Sequence, residues 1–131
     1  MVATQQVPDT WLFETLTDAL DVPVSSHPAP DTTSSPHVTF TVLSGVDNLT
    51  NADYRFVTRY RYLVRAIARG RSYPYTLADA VDQALTRKTG TAAGGDVVAC
   101  VRTAPFQLSE NADGVEYRHL GGEYLVIVHT P

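Results

Sequence analysis

Residues 54–69, YRFVTRYRYLVRAIAR, constrain the fold more than any other part of the chain. The even positions are Tyr54, Phe56, Thr58, Tyr60, Tyr62, Val64, Ala66 and Ala68, an almost unbroken apolar and aromatic set. The odd positions carry Arg55, Arg59, Arg61, Arg65 and Arg69, with Val57, Leu63 and Ile67 between them. A β-strand sends successive side chains to opposite faces, so one long strand with a core face and an arginine face accounts for the pattern. On a helix the same arginines would scatter around the axis, and the strand is therefore predicted. Drawn out straight, the run would span about 50 Å, against about 20 Å for an ordinary strand. The strand is expected to bend, or to project one end beyond its sheet as a long hairpin that meets a neighbouring molecule.

Charge is distributed unevenly along the chain. The net charge is −4, and nine of the ten bases are arginine. Residues 1–54 hold seven acids and no Lys or Arg; residues 55–88 hold eight bases and two acids; residues 89–131 hold two bases and five acids. An acidic segment followed by a basic one can be cancelled inside one fold, or can match one copy of the chain to the next. The interface residues predicted on this basis are Arg55, Arg59, Arg61, Arg65 and Arg69, with Asp47 and Asp53 in the turn before the strand.

The other elements follow from local signals. Pro8 and Asp9 precede a short helix, roughly 10–20, whose Leu12, Leu16 and Leu20 share a face. The proline-rich stretch 22–36 reads as an extended loop. Residues 37–44 alternate as a strand, with Val38, Phe40 and Val42 on one side and Thr39 and Thr41 on the other. Thr76, with Asp79 three residues later, predicts the start of a helix over 76–89 that carries Leu77, Val81 and Leu85 on its apolar stripe and stops at Gly90. Strands are predicted over 97–105 and 115–130. A change of apolar parity across Gly121-Gly122 suggests a bulge or bend there. The expected fold is α+β, ordered α-β-β-α-β-β: a mainly antiparallel four-stranded sheet with two helices packed on one face and a long projecting hairpin. A chain of 131 residues, 44% apolar and 18% charged, suits one globular domain over 1–131.

Catalytic chemistry has little to stand on. Cys100 is the lone cysteine, which excludes an internal disulfide, and its apolar strand makes it a small hydrophobe rather than a nucleophile. His27, His37, His119 and His129 lack the spacing of a zinc enzyme. The glycine pairs are not followed by a phosphate-cradling helix. No catalytic, metal or cofactor residues are assigned, and the chain is read as a non-enzyme. The N-terminus lacks a signal peptide's basic start and apolar core, and no apolar run reaches the roughly 18 residues of a membrane span. Synthesis and use in a cytoplasm are expected. Arginine interleaved with aromatics also raises a nucleic-acid-associated module that uses the arginine face, but a base-stacking sheet needs its aromatics on the binding face, and here they alternate away from it.

The organisation as a whole resembles the tail terminator, or tail completion, proteins of long-tailed bacteriophages. The resemblance runs over roughly residues 10–130: a short first helix, a loop containing HPAP that leads into PHVTFTVLSG, the long RFVTRYRYLVRAIARG strand, the helix TLADAVDQAL, and two closing strands ending in YLVIVHT. It implies a non-catalytic virion protein, assembled in the host cytoplasm into a ring, usually a hexamer, in the tail-neck region. The implied partners are further copies of the chain, the tail tube protein and the head-tail connector (stopper) protein, with DNA passing through the lumen. Another neck or minor tail protein is the alternative within this class.

Overall fold

The protein is described by a computed structural model over residues 6–26, 36–49, 56–112 and 114–130. Its elements are α1 (Gln6–Ala19), β1 (Val24–Ser26), β2 (His37–Leu49), β3 (Phe56–Arg69), α2 (Tyr73–Leu85), β4 (Gly90–Ala92), β5 (Gly95–Ala112) and β6 (Val115–Thr130). The strands form one mixed, curled sheet in the order β1-β2-β3-β6-β5-β4. This corrects the expected four-stranded antiparallel sheet. Two short strands flank the four long ones, and β1 runs parallel to β2, pairing Val24–Ser26 with Val38–Phe40. Local reading misses β1 because Pro23 and the serines around it are loop-forming residues. Its pairing is supplied from a distance by β2, and Val38 N–H donates to Pro23 O at 2.9 Å.

The alternation in β3 carries through to burial. Thr58, Tyr60, Tyr62, Val64, Ala66 and Ala68 are all buried. They join Leu12 and Leu16 of α1, Leu77, Val81 and Leu85 of α2, and Tyr124, Val126 and Val128 of β6 in the core. The strand does not leave the sheet within the described residues. It is paired from Phe56 to Ile67 with β2 and from Phe56 to Arg69 with β6. Its length is accommodated by equally long neighbours and by the curl, not by projection. Tyr54, Arg55 and the turn before them lie outside the described residues.

Two tyrosines at one register position attach the helices to the sheet. Tyr62 of β3 lies opposite Tyr124 of β6, and both are essentially inaccessible to solvent. The Tyr62 hydroxyl donates to Asp9 Oδ1 on α1. The Tyr124 hydroxyl donates to Asp82 Oδ1 on α2 at 2.8 Å, and Thr86 Oγ1 donates to the same oxygen at 2.8 Å. Burial raises both phenols well above their ordinary value, and the carboxylates beside them add to the shift. A buried hydroxyl left without an acceptor is costly, so each tyrosine needs its helix where it is.

Helix α2 starts earlier and ends earlier than its sequence signals suggest. Ser72 stands at the N-cap and a proline, Pro74, occupies the first turn, where its missing N–H is not needed. Thr76 lies inside the helix, with its N–H and its Oγ1 both donating to Ser72 O. The helix stops at Leu85; Arg87, expected in its last turn, instead adopts φ +64° and donates its N–H to Cys100 O on β5.

The bend expected at Gly121-Gly122 is also corrected. Pairing of β3 with β6 runs through both glycines without a shift, and Leu120, Gly122, Tyr124, Val126, Val128 and Thr130 keep one parity. The irregularities lie in β5, between Val97 and Ala99 and between Arg102 and Ala104, and in β2 between Val42 and Ser44. The glycines serve close approach instead. A Cβ on Gly121 would fall 1.9 Å from Val64 O, and one on Gly122 would fall 2.7 Å from Ala104 O. The apparent change of parity arises because the curl half-buries Val115 and Tyr117 and buries His119 on the second face.

Two outcomes are expected. Gly121→Ala should cost more than about 3 kcal/mol, because the obstacle is backbone and cannot move aside as a side chain would; a thermal midpoint within a few degrees of wild type would contradict this. Tyr62→Phe should cost about 1.5–3 kcal/mol in urea denaturation, the range for a bond to a charged acceptor. Tyr124→Phe should cost less, because Thr86 still serves Asp82.

Candidate functional site

The face of β3 opposite the helices carries the arginines. Arg59, Arg61 and Arg69 are exposed and Arg65 is half-buried. Arg55 and Asp53 lie outside the described residues. Asp47 stands in β2 opposite Thr58, so the backbone places it on the far part of the same hairpin. The face is not uniformly basic. Arg61 Nη2 donates to Glu123 Oε1 of β6 at 2.7 Å, with both groups in contact with solvent. An exposed pair of this kind contributes no more than about 1 kcal/mol. Its acid comes from β6, not from the acidic first 54 residues. Half-buried Leu63, Leu125 and Ile127 complete the surface around it.

The aromatics lie on the other side. Tyr60 and Tyr62 are 4% and 0% exposed beneath the helices. They are out of reach of a nucleic-acid base, and the stacking platform that a single-strand-binding sheet uses is not formed by these residues.

At the base of the curl, folding gathers a polar group that sequence spacing did not reveal. His37, Ile67 and His119 lie at one height on β2, β3 and β6, and Thr39, Arg65 and Gly121 lie two residues further along. His119 is 6% exposed, its Nε2 is 3.8 Å from Glu110 Oε1 on β5, and neither of its ring nitrogens has a hydrogen-bond partner among the described residues. The hydroxyls of Thr39 and Thr41 are buried likewise. The two histidines are 82 residues apart in sequence, so only the strand register brings them to one height. Burial holds the His119 imidazole below its ordinary value of 6.5, the Arg65 cation lowers it further, and Glu110 opposes both.

Other candidate chemistry is sparse. Cys100 lies in the core, where burial pushes its thiol up to about 12, so it is protonated and inert at neutral pH. Among the described residues no group of three or more His, Cys, Asp or Glu side chains could hold a metal ion. Among them, too, no helix is long and apolar enough to cross a membrane. A shallow groove between α1 and α2, lined by Trp11, Thr15, Ala80 and Gln83, brings no nucleophile and base together.

The long edges of the sheet are the remaining feature. Strand β1 covers only Val38–Phe40 of β2, and β4 covers only Gly95–Val97 of β5. Thr41–Leu49 and Val98–Ala112 thus have a strand on one side only among the described residues. Leu43 and Val46 on the first, and Val98, Val101 and Leu108 on the second, are exposed. They make up five of the eight large hydrophobic side chains exposed among the described residues, so apolar exposure is concentrated on the edges.

No family model and no curated protein matches the sequence. Among solved structures, the chain is similar to one from the virion of a native gene transfer agent particle, with a TM-score of 0.71 and 13% identity, over 98% of this chain and 99% of that one. At that identity the likeness shows a shared fold over the full length of both chains.

His119 makes stability depend on pH. Its folded value is lowered, so as pH falls through about 6.5 the unfolded chain takes up the proton first and the folded state loses stability. Arg65, Glu110 and His37 face this ring and set the size of the effect. Between about pH 7.5 and pH 5.5 the melting temperature of wild type should fall further than that of His119→Gln, followed by circular dichroism. Equal falls would remove His119 as the cause.

Proposed function

We propose that this chain is a non-enzymatic structural protein of a phage-type virion that forms a ring at the head-proximal end of the tail tube. There it would stop tube polymerisation and join the tail to the head connector. The observation that carries this reading is the likeness of fold to a chain of the gene transfer agent virion, over 98% of this chain and 99% of that one. The organisation that resembles tail terminators in sequence supports it, as does a surface that presents arginines and, among the described residues, partly uncovered sheet edges. A hexamer is the stoichiometry this reading favours, with the tail tube protein and the connector (stopper) protein as partners and DNA passing through the lumen. Within it, Arg55, Arg59, Arg61, Arg65 and Arg69, with Asp47 and Asp53, are assigned to contact with a subunit or partner.

Polymerising tube protein tests the reading directly. Added to growing tubes, the chain should limit their length and appear as density at one end in negative-stain images. Tubes that grow to the same length without end density would refute it. Arg59→Glu combined with Arg69→Glu changes two exposed side chains and should leave thermal stability within about 0.5 kcal/mol, while capping is weakened at least tenfold. Undiminished capping would remove the arginine face from the contact.

A further inference from the structure

The four long strands alternate in direction, β2 against β3, β3 against β6, and β6 against β5. The two outer ones, β2 and β5, therefore run in opposite senses. Tracing register across the sheet gives Thr41–Leu63–Glu123–Ala104 at one height and Val46–Arg59–Ile127–Ala99 at another. The open part of β2 thus stands level with the open part of β5. The covering strands β1 and β4 shield opposite ends of the two edges, and among the described residues no strand pairs with this middle stretch. Leu43 and Val46 are 44% and 58% exposed there, and Val98 and Val101 are 49% and 38% exposed.

We infer that the ring is built by sheet extension: Thr41–Val46 of one copy pairs antiparallel with Ala99–Ala104 of the next. The inference rests on the ring reading above and names its interface. A strand edge carries a row of free N–H and C=O groups, and isolated domains normally blunt such edges with lysine, proline or inward charge. Of such devices the two facing stretches carry one charge, Arg102 of β5, and one bulge each, between Val42 and Ser44 and between Arg102 and Ala104; neither stretch holds a lysine or a proline, Pro105 falling just beyond the β5 stretch. The occupant is a second copy because both halves of the match are on one chain. Opposite strand sense makes the new ladder antiparallel when copies are placed side by side by rotation about an axis along the strands. Apolar side chains flank both edges. Because β2 and β5 are different surfaces, the contact is heterologous, the type that closes into a ring when the rotation per copy divides a full turn. The curl of the sheet supplies such a rotation. Each copy would add its four long strands to a continuous wall, with the arginines of β3 all on one side of it.

Edge-blocked variants test this. Leu43→Lys with Val46→Lys blocks the β2 edge; Val98→Lys with Val101→Lys blocks the β5 edge. All four side chains are exposed, so both variants should keep the wild-type circular dichroism spectrum and melting curve. In sedimentation velocity at a concentration where wild type is a ring, each variant alone should be a monomer. Mixed one to one they should give a heterodimer and nothing larger, since only one good edge remains on each. Rings formed by either variant alone would overturn the edge interface and leave the ring reading standing. A wild-type chain that stays monomeric to its solubility limit would overturn both. Should the lysine variants fail to fold, Ser44→Cys with Val101→Cys replaces them, since these residues share a height through Arg61 and Leu125. Oxidised rings should give a covalent ladder that neither single variant gives, and free thiols in the assembled double variant would overturn the pairing.

Discussion

The paired tyrosines Tyr62 and Tyr124 hold the two layers of the molecule in register. They stand opposite each other at the centre of the sheet, and each reaches past its own apolar ring to a carboxylate on a different helix. Hydrophobic burial is non-directional and would tolerate some sliding of α1 and α2 over the sheet. A buried hydroxyl is not so tolerant, because losing its acceptor carries the full desolvation penalty. The aromatic surface of the pair supplies core, and the two hydroxyls fix where each helix lies. With one face of the sheet committed in this way, what the sheet itself offers another molecule is its opposite face and its edges.

Curl sets the character of that second face. Gly121 and Gly122 remove the side chains that would collide with Val64 and Ala104, and the bulges in β2 and β5 take up the difference in strand path. The face then divides by height. Near Arg59 and Arg61 it is open and mixed, with Glu123 answering one arginine. Near His119 it is closed enough to bury an imidazole and two threonine hydroxyls. The same long strands that make the curl leave two edges partly covered. A sheet of this size is either protected at its edges or extended by a neighbour, and the short β1 and β4 protect only one end of each.

The legibility of this chain in sequence follows from the range of the interactions involved. The period of two in residues 56–69 identified the core face of β3 correctly, since alternation is a property of the backbone itself. The burial of Cys100 in an apolar strand was legible for the same reason. Strands β1 and β4 were not, because three-residue strands carry no period and exist only through a partner distant in sequence. The glycine pair was recognised as special but misread as a bend; whether a glycine serves a turn or a close approach depends on what lies opposite, and Val64 is 57 residues away. Among the candidate residues, the arginines were visible individually. The pairing of Arg61 with Glu123, the polar group around His119 and the two partly uncovered edges all arise from cross-strand register.

Sequence by itself thus determined a strand-rich chain with a two-faced central strand, because residue type and alternation act locally. The tertiary structure decided that the described part of this strand, Phe56–Arg69, stays inside a six-stranded curled sheet instead of projecting from it, and that much of the apolar exposure among the described residues lies along β2 and β5. Pairing register sets those features, and register is established between segments that local sequence cannot align.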